Sequence, residues 1–459
     1  MNQTLDIDEQ RGLIKAINIC SNICFGLMLV LAISPIVGIF IPIHNSVEMS
    51  HLFYAKTLIV KISGLACLAL GVFLLVVKSI LYGGKYLFET LFKNPWNILL
   101  LVTILWGVIS FKEVDPYDLH TAIFGWAYPY EGFVAYVSYA GIYIGASSLR
   151  SDKQKRIVLN ALLITAAVVA VFTLIGELTG TDFAFFRNGM CFDYSGSFIN
   201  PNHYAYYICV ICILSAVAAT MDNKIYIKIL YVASFALNMA ILCLNNSFGS
   251  YLALLVGMIF FGAWYIRKKH LPYSLSIIGL FIILTFALNH KYVTKELTGF
   301  FQGIFEFFAN LISGKDPAES IGDVTSETAN GRAAGWSAAI QAIKDSPIFG
   351  YGPDMEYNTL FFKIGHKGSS HNHFLYLAVC FGIPSAVTYF SALICMIVRC
   401  FKKLKESKEI TKAFMLGFGV FIVSCCFGIS IPICDFIFFM MFGFLNSNFA
   451  KEKEIKCLE

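Results

Sequence analysis

The residues with the clearest chemical potential lie in the stretch 330–385, which has mixed polarity in an otherwise apolar chain. Arg332 opens a segment whose apolar residues recur at helical spacing, which predicts an amphipathic helix. A basic loop then leads to the pair His371 and Asn372, after which the chain becomes apolar again. The pattern predicts a guanidinium and a titratable imidazole at the mouth of a membrane bundle. This combination suits chemistry on an anionic, lipid-linked substrate.

His371 and Arg332 have different candidate roles. An imidazole can accept a proton near neutral pH, so His371 is a candidate base. The alternative is that His371 is a structural histidine at the start of an interfacial helix. The residues alone favour this structural role. A guanidinium stays charged at any relevant pH and binds phosphate oxygens in pairs, and a helix N-terminus adds positive potential. For Arg332 we therefore prefer phosphate binding over a surface ion pair with Glu327.

Three further polar residues in predicted outward loops are candidates for substrate contacts. Arg187 is the only basic residue of its loop, and a substrate role and a lipid-headgroup anchor carry equal weight. Asn202 follows Asn200 and either binds a sugar hydroxyl or caps the next helix, of which capping is the safer interpretation. Glu131, with Tyr128 and Tyr130, would suit a sugar platform, although tyrosines are routine at membrane interfaces.

The histidines and cysteines do not predict a metal site. His371 and His373 form a His-x-His pair, but a catalytic zinc usually takes three protein ligands, and no further ligand has convincing spacing. Cys209 and Cys212 form an isolated CxxC inside an apolar run and are interpreted as packing residues. The chain has no Walker or GxGxxG pattern of value. We therefore expect neither a metal nor another cofactor.

Membrane helices must position these residues. Of the 459 residues, 58% are hydrophobic and 14% charged, against roughly 25% charged in soluble domains. Runs of about 20 apolar residues, enough to cross a bilayer, recur throughout the chain. They predict about twelve spans, near residues 17–41, 57–80, 96–110, 132–149, 157–177, 203–221, 227–244, 248–266, 271–289, 374–398, 413–430 and 432–449. The expected fold is an all-α polytopic membrane protein, with residues 1–459 as a single membrane domain.

Lysines and arginines indicate the orientation of these spans. They concentrate in four connections, at 150–156, 224–228, 267–269 and 399–412. All four lie on one side of the membrane if both termini lie there too, and the positive-inside rule makes that side the cytoplasm. The connection 290–371, between the ninth and tenth spans, then forms a long extracytoplasmic loop. We expect it to carry amphipathic helices, one at 299–311 in the membrane interface and one beginning at Arg332.

Three motifs resemble the bacterial O-antigen ligases and O-antigen polymerases, which act on undecaprenyl-diphosphate-linked sugars. Arg332 opens a helix that ends in P-x-x-G-x-G, here PIFGYG at 347–352. The His-Asn pair at 371–372 comes shortly before Gly-Ile-Pro at 382–384. Upstream, GSFINPNHYAYY at 196–207 is similar to the family's G-x-F-x-N-P-N segment. With the membrane layout, the resemblance covers nearly the whole chain.

The resemblance implies a metal-independent, inverting transfer of a glycan from undecaprenyl diphosphate on the outer face of the bacterial cytoplasmic membrane. By this resemblance His371 is the catalytic base, and Asn372 stands beside it at the acceptor sugar. Arg332 would bind the diphosphate, helped by Arg187 or Lys367. The implied partners are an undecaprenyl-diphosphate-linked oligosaccharide, an acceptor glycan and membrane lipids. Nucleic acid is not expected, since the net charge of +5 reflects membrane orientation.

One position departs from the family's pattern. Family members often carry Ser-Arg-Gly where this chain has Ser-Phe-Gly at 247–249, so one expected diphosphate-binding arginine is replaced by Phe248. On this basis we favour a polymerase-like enzyme, whose acceptor is another lipid-linked repeat, over a ligase that uses a lipid, protein or wall acceptor. The alternative of another class is a lipid-linked sugar flippase or transporter. A transporter should place ionisable residues near the bilayer midplane.

Overall fold

The computed structural model describes residues 6–37, 46–126, 130–179, 194–198, 200–221, 224–266, 271–313, 329–428 and 431–454. Three residues weighed in the sequence analysis, Tyr128, Arg187 and Glu327, lie outside these ranges. Every regular element inside them is helical. The all-α prediction is therefore confirmed.

The α-helices of the described ranges are numbered in chain order. They are α1 Ile7–Val37, α2 Ser46–Tyr82, α3 Lys85–Phe92, α4 Pro95–Ile109, α5 Leu119–Phe124, α6 Phe133–Ser148, α7 Asp152–Thr179, α8 Pro201–Met221, α9 Ile225–Leu244, α10 Phe248–Tyr265, α11 Leu271–Ser313, α12 Ala329–Asp345, α13 Glu356–Thr359, α14 His373–Lys403, α15 Glu409–Cys425 and α16 Pro432–Glu454. Short 3-10 turns occupy Ser110–Glu113, Pro116–Asp118 and Gly196–Phe198, and a π-helical turn occupies Leu360–Ile364.

Ten helices in the described ranges are long and apolar enough to cross a membrane. They occur where the hydrophobic runs predict spans, so the chain is a multi-pass membrane protein. The predicted spans at 132–149 and 413–430 form α6 and α15, which have 16 and 17 residues and pack within the same bundle. The predicted count of twelve therefore stays a prediction.

The ninth predicted span lies in α11, which consists of two helices. The aromatic segment 299–311 lies in the second of them. The two parts of α11 are distinguished by a kink at Asn289, where φ is −149°. The Asn289 side chain donates a hydrogen bond to the carbonyl of Cys243 at the kink. This hydrogen bond links the kink of α11 to the neighbouring helix α9.

The centre of the bundle is formed by α8 and α16. Both helices are mostly apolar and largely buried, as suits helices that have no single polar face. The side chains of α8 from His203 to Thr220 are buried, including both cysteines of the CxxC. Around them, α2 and α6 approach so closely that a Cβ on Gly141 would overlap the backbone of Gly64. Small residues permit such close packing between membrane helices.

Contacts between distant segments define the two ends of the bundle. At one end, Lys408 and Asp152 form an ion pair at 2.5 Å, next to the connections rich in lysine and arginine. At the opposite end, Tyr206 at the start of α8 donates to the carbonyl of Phe427 at 2.9 Å. This second end also holds α12 and the chain that leads to α14. We call it the site end.

Candidate active site

The site end is built on a break in α14. The helix loses helical geometry at Gly382 (φ 80°, ψ 167°). The turn 347–352 fills the gap: two of its N–H groups donate to carbonyls of α14 at 2.9 and 2.8 Å, and Pro347 accepts an N–H from α14 at 2.8 Å. Because carbonyls freed by a break in a membrane helix need new partners, the P-x-x-G-x-G and Gly-Ile-Pro motifs depend on each other.

Two glycines make this contact possible. A Cβ on Gly350 would lie 2.5 Å from the carbonyl oxygen of Cys380, and one on Gly382 would overlap the carbonyl of Ile348. Both have positive φ, 67° and 80°, which glycine adopts at little cost. The turn and α14 therefore form one rigid unit.

His371 lies in the loop just before α14 and is half-buried. Its φ of 48° is in the left-handed region, which is uncommon for a residue with a Cβ. Its N–H donates to Ser369 Oγ at 3.0 Å. The next residue, Asn372, caps α14: its Oδ1 accepts from the N–H groups of the first helical turn at 3.0 and 3.1 Å. These hydrogen bonds fix the position of the backbone that carries the imidazole.

Arg332 is brought to His371 by the packing of α12. Gly335, one turn further along α12, lies against the loop before His371, where a Cβ would be 2.9 Å from the carbonyl oxygen of Ser369. Residues three apart on a helix share a face, so Arg332 lies on the same side. Its charge is close enough to influence His371.

The imidazole is neutral at physiological pH. Burial, and then the nearby Arg332 and His366, lower the pKa of His371 to about 4. A neutral imidazole has a free lone pair and can accept a proton. A negatively charged ligand bound at Arg332 would raise this pKa, because an opposite charge favours the imidazolium.

Two residues of the first turns of α8 lie within electrostatic range of His371 and Arg332. His203 is buried and lies within electrostatic range of His371, and Tyr206 has the same relation to Arg332. Asn200 caps α8 by accepting the N–H of Asn202 at 2.9 Å. The side chain of Asn202 instead accepts from the Ser247 hydroxyl at 2.9 Å.

This contact joins the GSFINPNH segment to the position where the family arginine is replaced. Phe248, which directly follows Ser247, is buried against Phe427. The replacement therefore fills an apolar contact at the site end instead of presenting a charge to it.

Four other polar residues have different surroundings. Glu131 is fully buried, and its Oε1 accepts from the Tyr139 hydroxyl at 3.0 Å. His373 packs against Tyr389 with ring centroids 5.5 Å apart. Lys367 is exposed on the loop before His371. Asn372 is occupied as a helix cap, and its second contact is the Cys426 carbonyl at 3.2 Å.

Sequence reasoning missed two buried carboxyl groups in the turn between α12 and α14. Asp354 accepts from the N–H of Trp126 at 2.6 Å and from the Tyr376 hydroxyl at 3.2 Å. Glu356 accepts from the N–H of Ser370 at 3.2 Å. Burial raises the pKa of each carboxyl to about 7. Two acidic residues in a loop normally indicate a solvated surface, so the sequence carries no signal for this burial.

Residues 233–390 match the family model described as O-antigen ligase. This part of the chain is similar to the O-antigen ligase family. The match spans Arg332, the turn 347–352, His371 and the break at Gly382, so it confirms the resemblance that the motifs carry. It implies glycan transfer of the O-antigen ligase or polymerase type, on lipid-linked glycans and their acceptors. No curated protein matches the chain.

Proposed function

We propose that this protein transfers a glycan from undecaprenyl diphosphate to an acceptor sugar during assembly of a surface polysaccharide. The observation that supports the proposal is that Arg332 lies within electrostatic range of His371 at one end of a membrane bundle, within the residues that match the O-antigen ligase model. In this proposal the site end faces outward from the bacterial cytoplasmic membrane. Both termini lie in the cytoplasm, because the connections rich in lysine and arginine belong to the opposite end.

The proposed reaction assigns one step to each side chain. The acceptor hydroxyl attacks the anomeric carbon while the bond from that carbon to the diphosphate oxygen breaks. His371 takes the proton of the hydroxyl, and Arg332 stabilises the charge that develops on the departing diphosphate. Attack from the face opposite the diphosphate inverts the anomeric centre. The charge balance of this step needs no metal ion.

Other predicted residues extend the proposed donor site. Lys367 is exposed four residues before His371 and adds positive charge for the diphosphate, and Arg187 is assigned the same role. Asn202, Asn372 and Glu131 remain proposed substrate contacts, of which Asn202 and Asn372 lie at the site end. Phe248 removes one cation, and for this reason we propose a further lipid-linked repeat as acceptor, as in a polymerase. The second candidate is ligase-type transfer to a lipid, protein or wall acceptor.

The placement of buried charge supports an enzyme over a transporter. Within the described ranges, most buried charged side chains lie in loops or near helix ends, for example Lys155 close to the start of α7 and Asp435 in the first turn of α16, whereas Lys56 and Lys61 lie further inside α2. A flippase that carries a diphosphate through the bilayer would need such groups along the path.

Purified protein with a lipid-linked oligosaccharide tests the proposal. A ladder of products supports a polymerase, and a single product with an added acceptor identifies a ligase. Both should persist in EDTA. Movement of the oligosaccharide across liposomes without any transfer would contradict the enzyme.

A further inference from the structure

The loop that carries His371 is tied to one buried carboxyl group. Glu356, the first residue of α13, is 1% exposed. Its Oε1 accepts hydrogen bonds from both the N–H and the hydroxyl of Ser370. The Ser369 side chain also hydrogen-bonds to this carboxyl, and Ser369 Oγ accepts the N–H of His371 at 3.0 Å. Ser369 and Ser370, the two residues before His371, are thus both held by the carboxyl of Glu356.

The backbone of His371 needs such support. A residue with a Cβ is strained in the left-handed region, and the strained conformation persists only where the surroundings enforce it. If the loop relaxed to negative φ, the imidazole would leave the backbone in another direction. It would then lose its placement beside Arg332.

Glu356 is itself anchored to the rigid part of the site end. The backbone before it closes a turn through a bond from Met355 N–H to the Gly352 carbonyl at 3.3 Å. Gly352 in turn donates to α14 at the break, at 2.8 Å. The carboxyl therefore connects the loop 366–371 to the unit formed by the turn and α14.

We propose that Glu356 is a positioning residue for His371. It does not touch the reacting atoms: through Ser369 and Ser370 it holds the imidazole where the acceptor hydroxyl arrives. The inference rests on the proposed role of His371 as the base.

Steady-state transfer by the full chain tests the inference with Glu356→Ala and Glu356→Gln. Because a small misplacement of a catalytic group costs up to about 100-fold in rate, we expect Glu356→Ala to lower kcat by about that factor. The KM for the lipid-linked donor should change less than about threefold, since Arg332 is untouched. Glu356→Gln keeps an oxygen that accepts the Ser370 N–H, and it should retain kcat within about tenfold of wild type.

A double mutant distinguishes positioning from general damage. Residues that act as a unit are not additive, so Glu356→Ala should cause no further loss in a His371→Ala background. Ser369→Ala removes the acceptor of the His371 N–H and the Ser369 hydrogen bond to Glu356, and it should lower kcat by about three- to tenfold. It keeps the test valid if Glu356→Ala does not fold. The control is Glu409→Gln. This carboxyl accepts a hydrogen bond from Tyr265 at the end of α15 that is far from the site end, so the substitution should leave transfer unchanged.

The outcomes separate the two claims. Wild-type kcat in both Glu356→Ala and Ser369→Ala, with His371→Ala inactive, would overturn the positioning role alone. A full further loss from Glu356→Ala in the His371→Ala background would do the same. Full activity of His371→Ala would overturn the proposed base, and the inference with it.

Discussion

The resting state of His371 determines how it can serve as a base. Burial, Arg332 and His366 lower its pKa to about 4, so the imidazole is unprotonated but weakly basic at neutral pH. A base is most effective when its pKa lies near the working pH. A diphosphate bound at Arg332 offsets the positive charge there and raises the pKa of His371. Arg332 thus couples the binding of the donor to the strength of the base.

This coupling predicts the pH profile of kcat/KM. The free enzyme needs neutral His371, so activity should fall only on the acidic side, below about pH 5, as the imidazole is protonated. Arg332→Gln removes a positive neighbour and should move this acidic limb to higher pH, besides lowering kcat/KM by about 100-fold or more. The measurement is kcat/KM for the lipid-linked donor between about pH 4 and 8. An acidic limb at the same pH in both proteins would contradict the coupling.

At the scale of elements, the turn 347–352 and the broken helix α14 stabilise each other. Gly382→Ala places a Cβ against the Ile348 carbonyl at a backbone conformation suited to glycine. We expect a loss of about 2–4 kcal/mol in the free energy of unfolding, seen as lower membrane abundance and a lower midpoint of thermal unfolding. Gly279→Ala, on α11 with open space around it, is the matched control. Equal stability of the two variants would show that the break tolerates a side chain.

The buried Glu356 makes the same region sensitive to pH. Burial raises the pKa of this carboxyl from 4.5 to about 7. The folded state therefore binds more protons than the unfolded state between these values, and the stability gained below pH 4.5 is lost as the pH rises through 7. We expect the midpoint of thermal unfolding in detergent to fall between about pH 5 and 7, and to fall less in Glu356→Gln. An equal slope in the variant would assign the effect to other groups, with Asp354 first among them.

The sequence predicts where the helices lie, but not the contacts between distant segments. Hydrophobic runs locate the helices because burial in lipid demands length and apolarity, and Arg332 and His371 stand out as polar residues beside such runs. The bonds across the break at Gly382 join residues 28 to 36 positions apart, and no local pattern indicates them. The burial of Glu131 and Glu356 has the same origin, since it depends on which segments cover them.

For the whole molecule, the two ends of the bundle have different chemistry. One end presents lysine-rich connections such as 399–412, and the other presents the site. Opposite ends of one membrane bundle face opposite compartments, so fixing one end fixes the other. The number of spans also matters for this orientation, because an even number places both termini on the lysine-rich side.

Epitope insertion measures this orientation directly. We expect a tag after Glu406, in the connection between α14 and α15, to be reached by antibody only in permeabilised spheroplasts, because the lysine-rich end faces the cytoplasm. A tag after Gly365, in an exposed turn of the loop before His371, should be reached in intact spheroplasts. Equal membrane abundance of the two tagged proteins is the control. If the accessibilities are reversed, Arg332 and His371 face the cytoplasm, and they cannot serve a donor on the outer leaflet.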